Sequence, residues 1–280
     1  MLHIGTDEAG YGPLLGPLVI AASAFRTDAP RASLADPAVK DSKVLHARGG
    51  RNALARALAP YVDAPRPLSL SRLLAGCAIG GDPRAGHPWY GDVTDAAPPD
   101  RSPHPSFLRL YLNPVCERQF NEGCGGPGGK ASLLTRETLR LVRRALEDHP
   151  GEPAEVVCDR HGGRKRYAVP LMESLLPATI VAERETPDRS DYRIVVGGRP
   201  VRISFLVRAD GADPPAALAS VAAKYLRELF MQALNEYFAE RVRGLRPTAG
   251  YYEDGRRFVA EVESLLDTLD GGRRAFVRER

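Results

Sequence analysis

An α/β fold is predicted for this 280-residue chain, because short apolar runs alternate with segments of helical periodicity. Hydrophobic residues make up 43% of the sequence, enough to bury one large core, and we expect residues 1–280 to form a single domain. Three of the apolar runs end in carboxylates, which are costly to bury unless a cation or water receives them. These acids are the first candidates for a functional site.

The first two strands are predicted at the N-terminus. An apolar run from Leu2 to Thr6 ends in the adjacent acids Asp7 and Glu8, and a second run, Leu18 to Phe25, follows after a turn rich in glycine and proline. The second strand should return antiparallel to the first and leave the two acids at a sheet edge. An isolated Asp-Glu pair is more often an exposed turn, so its interpretation depends on the rest of the chain.

The middle of the chain is less regular. Apolar spacing predicts a first helix from Asn52 to Val62, which ends before Pro65. From about 66 to 130 we expect an insertion, and its part from Gly76 to Pro105 is crowded with Gly, Pro and Asp, as an inserted loop would be. Alternating residues predict a strand from Leu108 to Leu112.

A glycine-rich segment from Gly123 to Ser132 invites comparison with a phosphate-binding loop. At the spacing of such a loop the first glycine is replaced by Cys124 and the final hydroxyl residue by Ala131, and Pro127 removes a backbone donor. We therefore interpret the segment as a flexible connection into an amphipathic helix from Ser132 to about Glu147.

Two later runs also end in acids. Ala154 to Asp159 reads as a short buried strand closed by a carboxylate, and the following His161 and Arg164 either face a phosphate or belong to a surface turn. Farther on, alternation predicts strands at Ile180–Glu183, Tyr192–Val196 and Val201–Val207. The Gly197-Gly198 pair between the last two signals a hairpin, whose second strand should end at Asp210.

A long helix is predicted next, from about Pro215 to Glu240, with Asp213 as its N-cap. Ser220, Lys224 and Glu228 share one stripe at four-residue spacing, so Lys224 can point back towards the acids. The remainder, about 241–280, is expected to be helical.

Charge alone does not identify a nucleic-acid-binding protein, because the formal net charge is only +4. Local basic clusters can attract phosphates, although each alone is more often a solvated face. These clusters are Arg160–Arg166, the trio Arg140, Arg143 and Arg144, and Arg241–Arg246. The four cysteines lack zinc-site spacing, and no apolar run approaches the roughly 20 residues that cross a bilayer. We expect a cytoplasmic monomer with free thiols and without membrane contact.

Three ordered segments resemble one known family. Asp7 to Pro17 resembles the ribonuclease HII signature Asp-Glu-Ala-Gly-Arg-Gly-Pro-x-x-Gly-Pro, with Tyr11 in place of its arginine. Asp41-Ser42-Lys43 resembles the family's downstream Asp-Ser-Lys. Asp210, followed by Ala219-Ser220 and Ala223-Lys224, resembles the Asp that leads into its Ala-Ala-Ser-x-x-Ala-Lys helix. Asp159 matches a further family Asp, although Arg160 follows it where the family usually has Gly-Asn.

The resemblance implies a ribonuclease H-like mixed five-stranded sheet flanked by helices, with C-terminal helical elements and an inserted loop region. It also implies a metal-dependent endonuclease of DNA repair, which hydrolyses the RNA strand of RNA–DNA hybrids or ribonucleotides embedded in duplex DNA and leaves a 5′-phosphate. The catalytic and metal-binding residues would be Asp7, Glu8, Asp159 and Asp210. Hard carboxylate oxygens suit Mg²⁺ or Mn²⁺, and we expect the four acids to converge on one cation pocket.

The resemblance further implies the substrate-binding residues, namely Gly10, Tyr11, Gly12, Lys43, Ser220, Lys224 and Tyr251. Backbone groups of the Gly10–Gly12 element would approach the ribose 2′-hydroxyl, and Tyr251, or its neighbour Tyr252, would pack on the adjoining sugar. Tyr11 removes a phosphate contact that an arginine would make. Two alternatives stay open, a non-catalytic nucleic-acid-binding module of the same fold and a related metal-dependent DNA nuclease.

Overall fold

The structure of the protein is a computed structural model that describes residues 1–62, 67–80, 82–95, 101–162 and 164–279. Within these residues, seven strands form one mixed sheet. The strands are β1 (Leu2–Ala9), β2 (Leu18–Arg26), β3 (Phe107–Val115), β4 (Ala154–Asp159), β5 (Ala178–Glu185), β6 (Arg189–Val196) and β7 (Arg199–Leu206). Their order across the sheet is β3-β2-β1-β4-β7-β6-β5, so β1 and β4 lie side by side near its centre.

Parallel and antiparallel pairing both occur in this sheet. β1 pairs antiparallel with β2 and parallel with β4, and β4 pairs parallel with β7. The predicted mixed α/β fold is confirmed, but the expected count of five strands is wrong. β5 and β6 extend the sheet beyond β7 as antiparallel strands, and the predicted hairpin turn at Gly197-Gly198 has positive φ at both glycines.

Helices cover both faces of the sheet. They are α1 (Ser42–Leu58), α2 (Leu70–Cys77), α3 (Glu117–Cys124), α4 (Gly129–Asp148), α5 (Ala168–Ser174), α6 (Ala209–Ala212), α7 (Pro214–Ala239), α8 (Tyr252–Leu266) and α9 (Gly272–Phe276), with short 3₁₀ helices at Arg31–Leu34 and Ala59–Tyr61. Alternate residues of β2 point to opposite faces. Val19 and Ala21 join a core cluster with α7, whereas Leu18 and Ile20 join one with α4.

The first strand is longer than predicted. β1 continues through Ala9, and Asp7 and Glu8 pair with Ala21 and Ile20 of β2. The two acids therefore lie inside a central strand and not at a sheet edge. Pairing with β2 extends the strand beyond the apolar run that marks it in the sequence.

The first helix begins at Ser42 and not at Asn52. Asp41 caps it, because its carboxylate accepts a hydrogen bond from the backbone N–H of Lys43 at 2.7 Å. Non-helical dihedral angles at Gly49-Gly50 kink the helix, which explains why apolar spacing indicated only its second half.

Part of the stretch from about 66 to 130, expected as an inserted loop region, is regular structure. It contains α2, β3 and α3, and β3 pairs with β2 in the main sheet. The predicted strand from Leu108 to Leu112 is thus confirmed. Pro65 and residues 66, 81 and 96–100 lie outside the described residues. The insertion and the single domain stay predictions.

Helix α7 lies directly on β1. Asp213 caps it as predicted and accepts a hydrogen bond from the backbone N–H of Ala216 at 3.0 Å. A Cβ atom at Gly5 would collide with the backbone of Pro215 and Ala216, so the close approach requires glycine in β1. This contact sets the distance between α7 and the acids of β1.

The four cysteines, all among the described residues, form no disulfide with one another, as expected. After residue 241 the chain forms α8 and α9. Among the helices that the structure describes, none combines the length and apolar character that crossing a bilayer would require.

Candidate active site

Three carboxylates meet at the carboxyl ends of the adjacent parallel strands β1 and β4. The register of these strands pairs Thr6 with Cys158, so Asp7 and Asp159 are the next residues along the two strands. One possible ligand oxygen from each of Asp7, Glu8 and Asp159 lies within 4.8 Å of the others. Parallel pairing thus brings acids from distant parts of the sequence together.

The environment of the three acids disfavours their ionised forms. Burial raises the pKa of Asp7 to about 7, against a hydrogen bond from Ser220 that lowers it. Burial and the charge of Asp7 raise the pKa of Glu8 well above its ordinary value. Burial also raises the pKa of Asp159. A divalent cation would relieve both the desolvation and the mutual repulsion, so this cluster could bind one.

Few groups of the protein offset these charges. The backbone N–H of Ala209 donates to Asp159 Oδ1 at 2.8 Å. The charge of Lys43 lowers the pKa of Glu8 and of Asp159. Within the described residues, however, no lysine or arginine forms an ion pair with any of the three acids.

The fourth predicted acid, Asp210, lies at the margin of this cluster. It does not close a strand as predicted, because β7 ends at Leu206 and Asp210 lies in the short helix α6. Asp210 lines the same cavity as the other acids, and its charge raises the pKa of Asp159. It is outside the close group formed by the other three among the described residues. The expected convergence is therefore found for three acids, with the fourth nearby.

A pair of hydroxyl groups supports Asp7. Ser220 on α7 hydrogen-bonds to Asp7, and its Oγ lies 3.0 Å from Oγ of Ser42 in the first turn of α1. Both serines are buried. Ser220, expected to bind substrate, thus contacts an acid, and Ser42 is a supporting residue that the sequence interpretation did not single out.

The acids open into a cavity of about 660 Å³. The predicted site residues that line it are Asp7, Glu8, Gly10, Lys43, Asp159, Asp210, Ser220, Lys224 and Tyr251. Tyr11 and Gly12 do not line it. The residues that sequence interpretation missed include Ser42, His46, Arg51, Arg208, Arg227, Gln232, Asn235 and Thr248. Continuing the four-residue spacing of Ser220, Lys224 and Glu228 along α7 would have found Gln232.

Two lysines face the cavity from different helices. Lys43 is exposed at the start of α1, and Lys224 is half-buried on α7. Burial lowers the pKa of Lys224, with the charge of Glu228 acting in the opposite direction. The two cations lie near the acids without neutralising them by contact, which leaves them available to an anionic ligand.

The Gly10-Tyr11-Gly12 element follows the acids directly. Gly10 has φ +86°, and a Cβ there would collide with the Arg227 side chain and the Pro17 carbonyl, so this position requires glycine. The Tyr11 ring is half-buried and lies 4.8 Å from Lys130 Nζ in a cation–π contact. Lys130 belongs to α4, so the ring faces the side of the sheet opposite α7.

The tyrosine expected near the C-terminus lies beside this element. Gly250 has φ +81°, and its carbonyl accepts hydrogen bonds from the backbone N–H groups of Leu14 and Leu15, at 2.7 and 3.1 Å. The next residue, Tyr251, is 61% exposed and lines the cavity, whereas Tyr252 does not line it. Of the two tyrosines considered, Tyr251 is therefore the one that lines the cavity of the acids.

Three buried ionisable side chains, missed by the sequence interpretation, hold the Gly10–Pro17 loop. Glu117 accepts a hydrogen bond from the backbone N–H of Gly16 at 3.0 Å. Arg227 donates to the carbonyl of Leu15 at 3.2 Å, and Arg278 donates to the carbonyl of Tyr11 at 3.0 Å. These three residues come from α3, α7 and the C-terminal segment, and no local sequence signal connects them.

The structure gives the surroundings of two groups of cations that were considered as phosphate contacts. His161 is buried, its Nδ1 lies 2.9 Å from Thr135 Oγ1, and burial lowers its pKa to about 3, so it is a core residue and does not face a phosphate. The α4 arginines pair with acids of the same helix, which are Glu137, Glu147 and Asp148. Gly163, within the Arg160–Arg166 cluster, lies outside the described residues.

Comparison with known proteins agrees with this arrangement. Residues 4–72 match the family model described as Ribonuclease HII. The fold is similar to the crystal structure of ribonuclease H2 from Pyrococcus horikoshii OT3, with a TM-score of 0.56 and 18% sequence identity over 99% of this chain and 92% of that one. It is also similar to a chain of the PCNA:RNase HII complex from Archaeoglobus fulgidus, with a TM-score of 0.52 and 20% identity over 100% of this chain and 95% of that one. A search of curated proteins found no match.

The fold and the carboxylate cluster define a mixed α/β protein, similar in fold to ribonuclease H2, that could bind a divalent metal. The family match covers the Asp7-Glu8 signature and the Asp41-Ser42-Lys43 segment. The resemblance found in the sequence is confirmed by the family model over residues 4–72, and the two solved structures show a similar fold over nearly the whole chain.

Proposed function

We propose that the protein is a metal-dependent endonuclease that hydrolyses the RNA strand of RNA–DNA hybrids or ribonucleotides embedded in duplex DNA, with a 5′-phosphate on the product. The observation that carries this proposal is the cluster of Asp7, Glu8 and Asp159 at adjacent strand ends, unpaired with cations of the described residues and open to a large cavity. Structural acids are normally paired or hydrogen-bonded. Acids left without counter-ions in a cavity are typical of a functional site.

The residues present fit a hard divalent cation such as Mg²⁺ or Mn²⁺. The donor set consists of carboxylates, without the cysteine and histidine ligands that softer metals prefer. Asp7, Glu8 and Asp159 would hold the ion, with Asp210 as a further ligand at the margin. A bound divalent cation supplies Lewis-acid stabilisation of the phosphate charge and acidifies an attacking water.

The chain's own groups position the acids and the phosphate. Ser220 orients Asp7, and the backbone N–H of Ala209 orients Asp159. In the proposed complex, Lys43 and Lys224 neutralise the phosphodiester that enters between the helices and the acids. The alanine-rich start of α7 is buried against β1, the strand that carries two of the acids.

Recognition of the ribose rests on the loop next to the acids. We assign the 2′-hydroxyl contact to backbone groups of Gly10 and Gly12, and the stacking contact on the sugar to Tyr251. Tyr251 is exposed at the cavity while Gly250 anchors its backbone to the loop. Tyr11 stands where the family signature has an arginine, and its ring makes a cation–π contact with Lys130. We propose that residues 1–280 act as a monomeric catalytic domain in cytoplasmic DNA repair.

The test incubates the purified protein with matched duplexes that contain no, one or several ribonucleotides, with Mg²⁺, with Mn²⁺ or with EDTA. We expect cutting at the ribonucleotides only, with a 5′-phosphate on the product and no cutting in EDTA. Equal cutting of the all-DNA duplex would contradict the ribonucleotide specificity and favour a DNA nuclease. Tight hybrid binding without cutting in either metal would favour a non-catalytic module.

A further inference from the structure

The backbone at Arg208 adopts a conformation that side chains disfavour. Arg208 has φ 58° and ψ 50°, in the left-handed region, and within the described residues it is the one non-glycine residue with positive φ. Glycine adopts this conformation readily, whereas a Cβ atom makes it costly. Residues held in such conformations concentrate at functional sites.

The left-handed turn itself does not need an arginine. It connects β7 to α6, where the N–H of Gly211 donates to the carbonyl of Arg208 at 3.2 Å and the N–H of Ala209 donates to Asp159. Neither hydrogen bond involves the side chain of residue 208, so glycine at this position would preserve both. The side chain must therefore be explained by something other than the turn.

The Arg208 side chain is exposed and lines the cavity of the acids. Its guanidinium forms no hydrogen bond or ion pair with any residue that the structure describes. Other arginines of the fold do find carboxylates, as Arg31 does with Asp213 and Arg189 with Asp191. Arg208 thus presents a permanent, unpaired charge to a cavity lined by acids.

We propose that Arg208 is a phosphate-binding residue whose guanidinium contacts a backbone phosphate of the nucleic acid bound beside the acids. The inference rests on the proposed function and deepens it. A planar guanidinium can donate two parallel hydrogen bonds to one phosphate. Arg208 reaches the cavity from the β7–α6 connection, whereas Lys43 and Lys224 reach it from α1 and α7. The phosphate is therefore contacted by cations from separate elements.

The test compares Arg208→Gly and Arg208→Lys with the unchanged protein. The glycine variant keeps the turn and should be at least as stable to heat, yet its KM for a ribonucleotide-containing duplex should rise on the order of tenfold. The slope of log KM against log salt should fall by about 0.9, the value for one phosphate contact. The lysine variant should keep most of the salt slope. The control, Arg202→Ala, removes an exposed arginine in the middle of β7 that pairs with Glu155, and should leave KM and the salt slope unchanged.

A binding measurement separates this inference from the proposed function. In an Asp7→Asn background, fluorescence anisotropy with a labelled hybrid in EDTA reports affinity without cleavage. Weaker binding and a smaller salt slope on adding Arg208→Gly would support the inference even if the unchanged protein cuts no duplex. Unchanged affinity and salt slope would overturn it even if the unchanged protein cuts ribonucleotides. An Arg208→Gly variant with lower thermal stability would also overturn the inference, because the arginine side chain would then stabilise the folded structure.

Discussion

Ionisable side chains are buried in two neighbouring regions of this protein. The two regions differ in the partners that these side chains have. At the acid cluster, Asp7 and Glu8 face like charges and an open cavity. Around the Gly10–Pro17 loop, the ionisable side chains of Glu117, Arg227 and Arg278 form hydrogen bonds with backbone groups of the loop.

The comparison shows that a raised pKa alone does not identify a functional acid. Burial raises the pKa of Glu117 to about 7, as it does for Asp7. Glu117 is fully buried and accepts hydrogen bonds from Gly16 and from the hydroxyl of Tyr90. Like-charged neighbours and access to a cavity distinguish Asp7, so we assign chemistry to one region and structural support to the other.

The largest expected effect comes from Asp7→Asn. It removes a proposed ligand and one of three repelling charges, so turnover should fall on the order of a thousandfold or more while the protein stays folded. Cleavage of a duplex with one ribonucleotide measures turnover, and a melting curve in EDTA measures stability. A variant that fails to fold would mean that Asp7 serves structure, as Glu117 does.

Glu117→Ala, in contrast to Asp7→Asn, is expected to lower the stability of the fold. Removing Glu117 leaves the Gly16 N–H and the Tyr90 hydroxyl unsatisfied in the core, and we expect a loss of about 3 kcal/mol in the free energy of unfolding. Urea denaturation measures it. Glu117→Gln keeps an acceptor oxygen and should lose less. An unchanged urea midpoint for the alanine variant would remove the distinction between the two regions.

The pH dependence of stability tests whether Asp7 has the raised pKa that distinguishes a buried acid. In EDTA the folded-state pKa of Asp7 is about 7, above the ordinary value of 3.8, so between these values the folded protein binds more protons than the unfolded chain. Stability from this group therefore falls as pH rises from about 4 to 7 and is constant above that. Each pKa unit corresponds to about 1.4 kcal/mol. Melting temperatures from pH 5 to 8 should fall less steeply for Asp7→Asn; equal slopes would contradict the assignment.

The smallest effect is expected at the contact between Lys130 and Tyr11. An exposed cation–π contact contributes about 0.5–1 kcal/mol, so Lys130→Ala should change KM for a ribonucleotide-containing duplex only a few-fold and leave the urea midpoint nearly unchanged. Tyr11→Phe keeps the ring and should match the unchanged protein. A Lys130→Ala effect as large as that of Asp7→Asn would place this contact in the chemistry.

The two regions also differ in how far the sequence predicted them. Apolar runs that end in acids predicted β4 and the position of Asp159, and parallel pairing then accounts for its meeting with Asp7. Glycine spacing predicted the hairpin between β6 and β7, and a capping aspartate predicted the start of α7. The sequence predicts these strands, this turn and this helix start because local propensity and tertiary structure favour the same conformation there.

The remaining features depend on contacts between distant segments. The hydrogen bonds of Glu117, Arg227 and Arg278 to the loop join residues more than 100 positions apart, so no local spacing reports them. Asp210 was expected to end a strand because nothing in the sequence marks the left-handed turn at Arg208, where glycine would be the usual signal. The family resemblance implied five strands, whereas the alternation of residues had already predicted β5 and β6, so the residue pattern was the better guide to the size of the sheet.

Calorimetric titration of Mn²⁺ into the metal-free protein tests the central claim most directly, with Asp7→Asn and Glu117→Gln measured in parallel. The two substitutions make the same chemical change, from a carboxylate to an amide, in the two regions of buried charge. We predict saturable binding by the unchanged protein and by Glu117→Gln, and its loss in Asp7→Asn. Undiminished binding by Asp7→Asn, or no binding by the unchanged protein, would contradict the assignment of the acid cluster as a metal site.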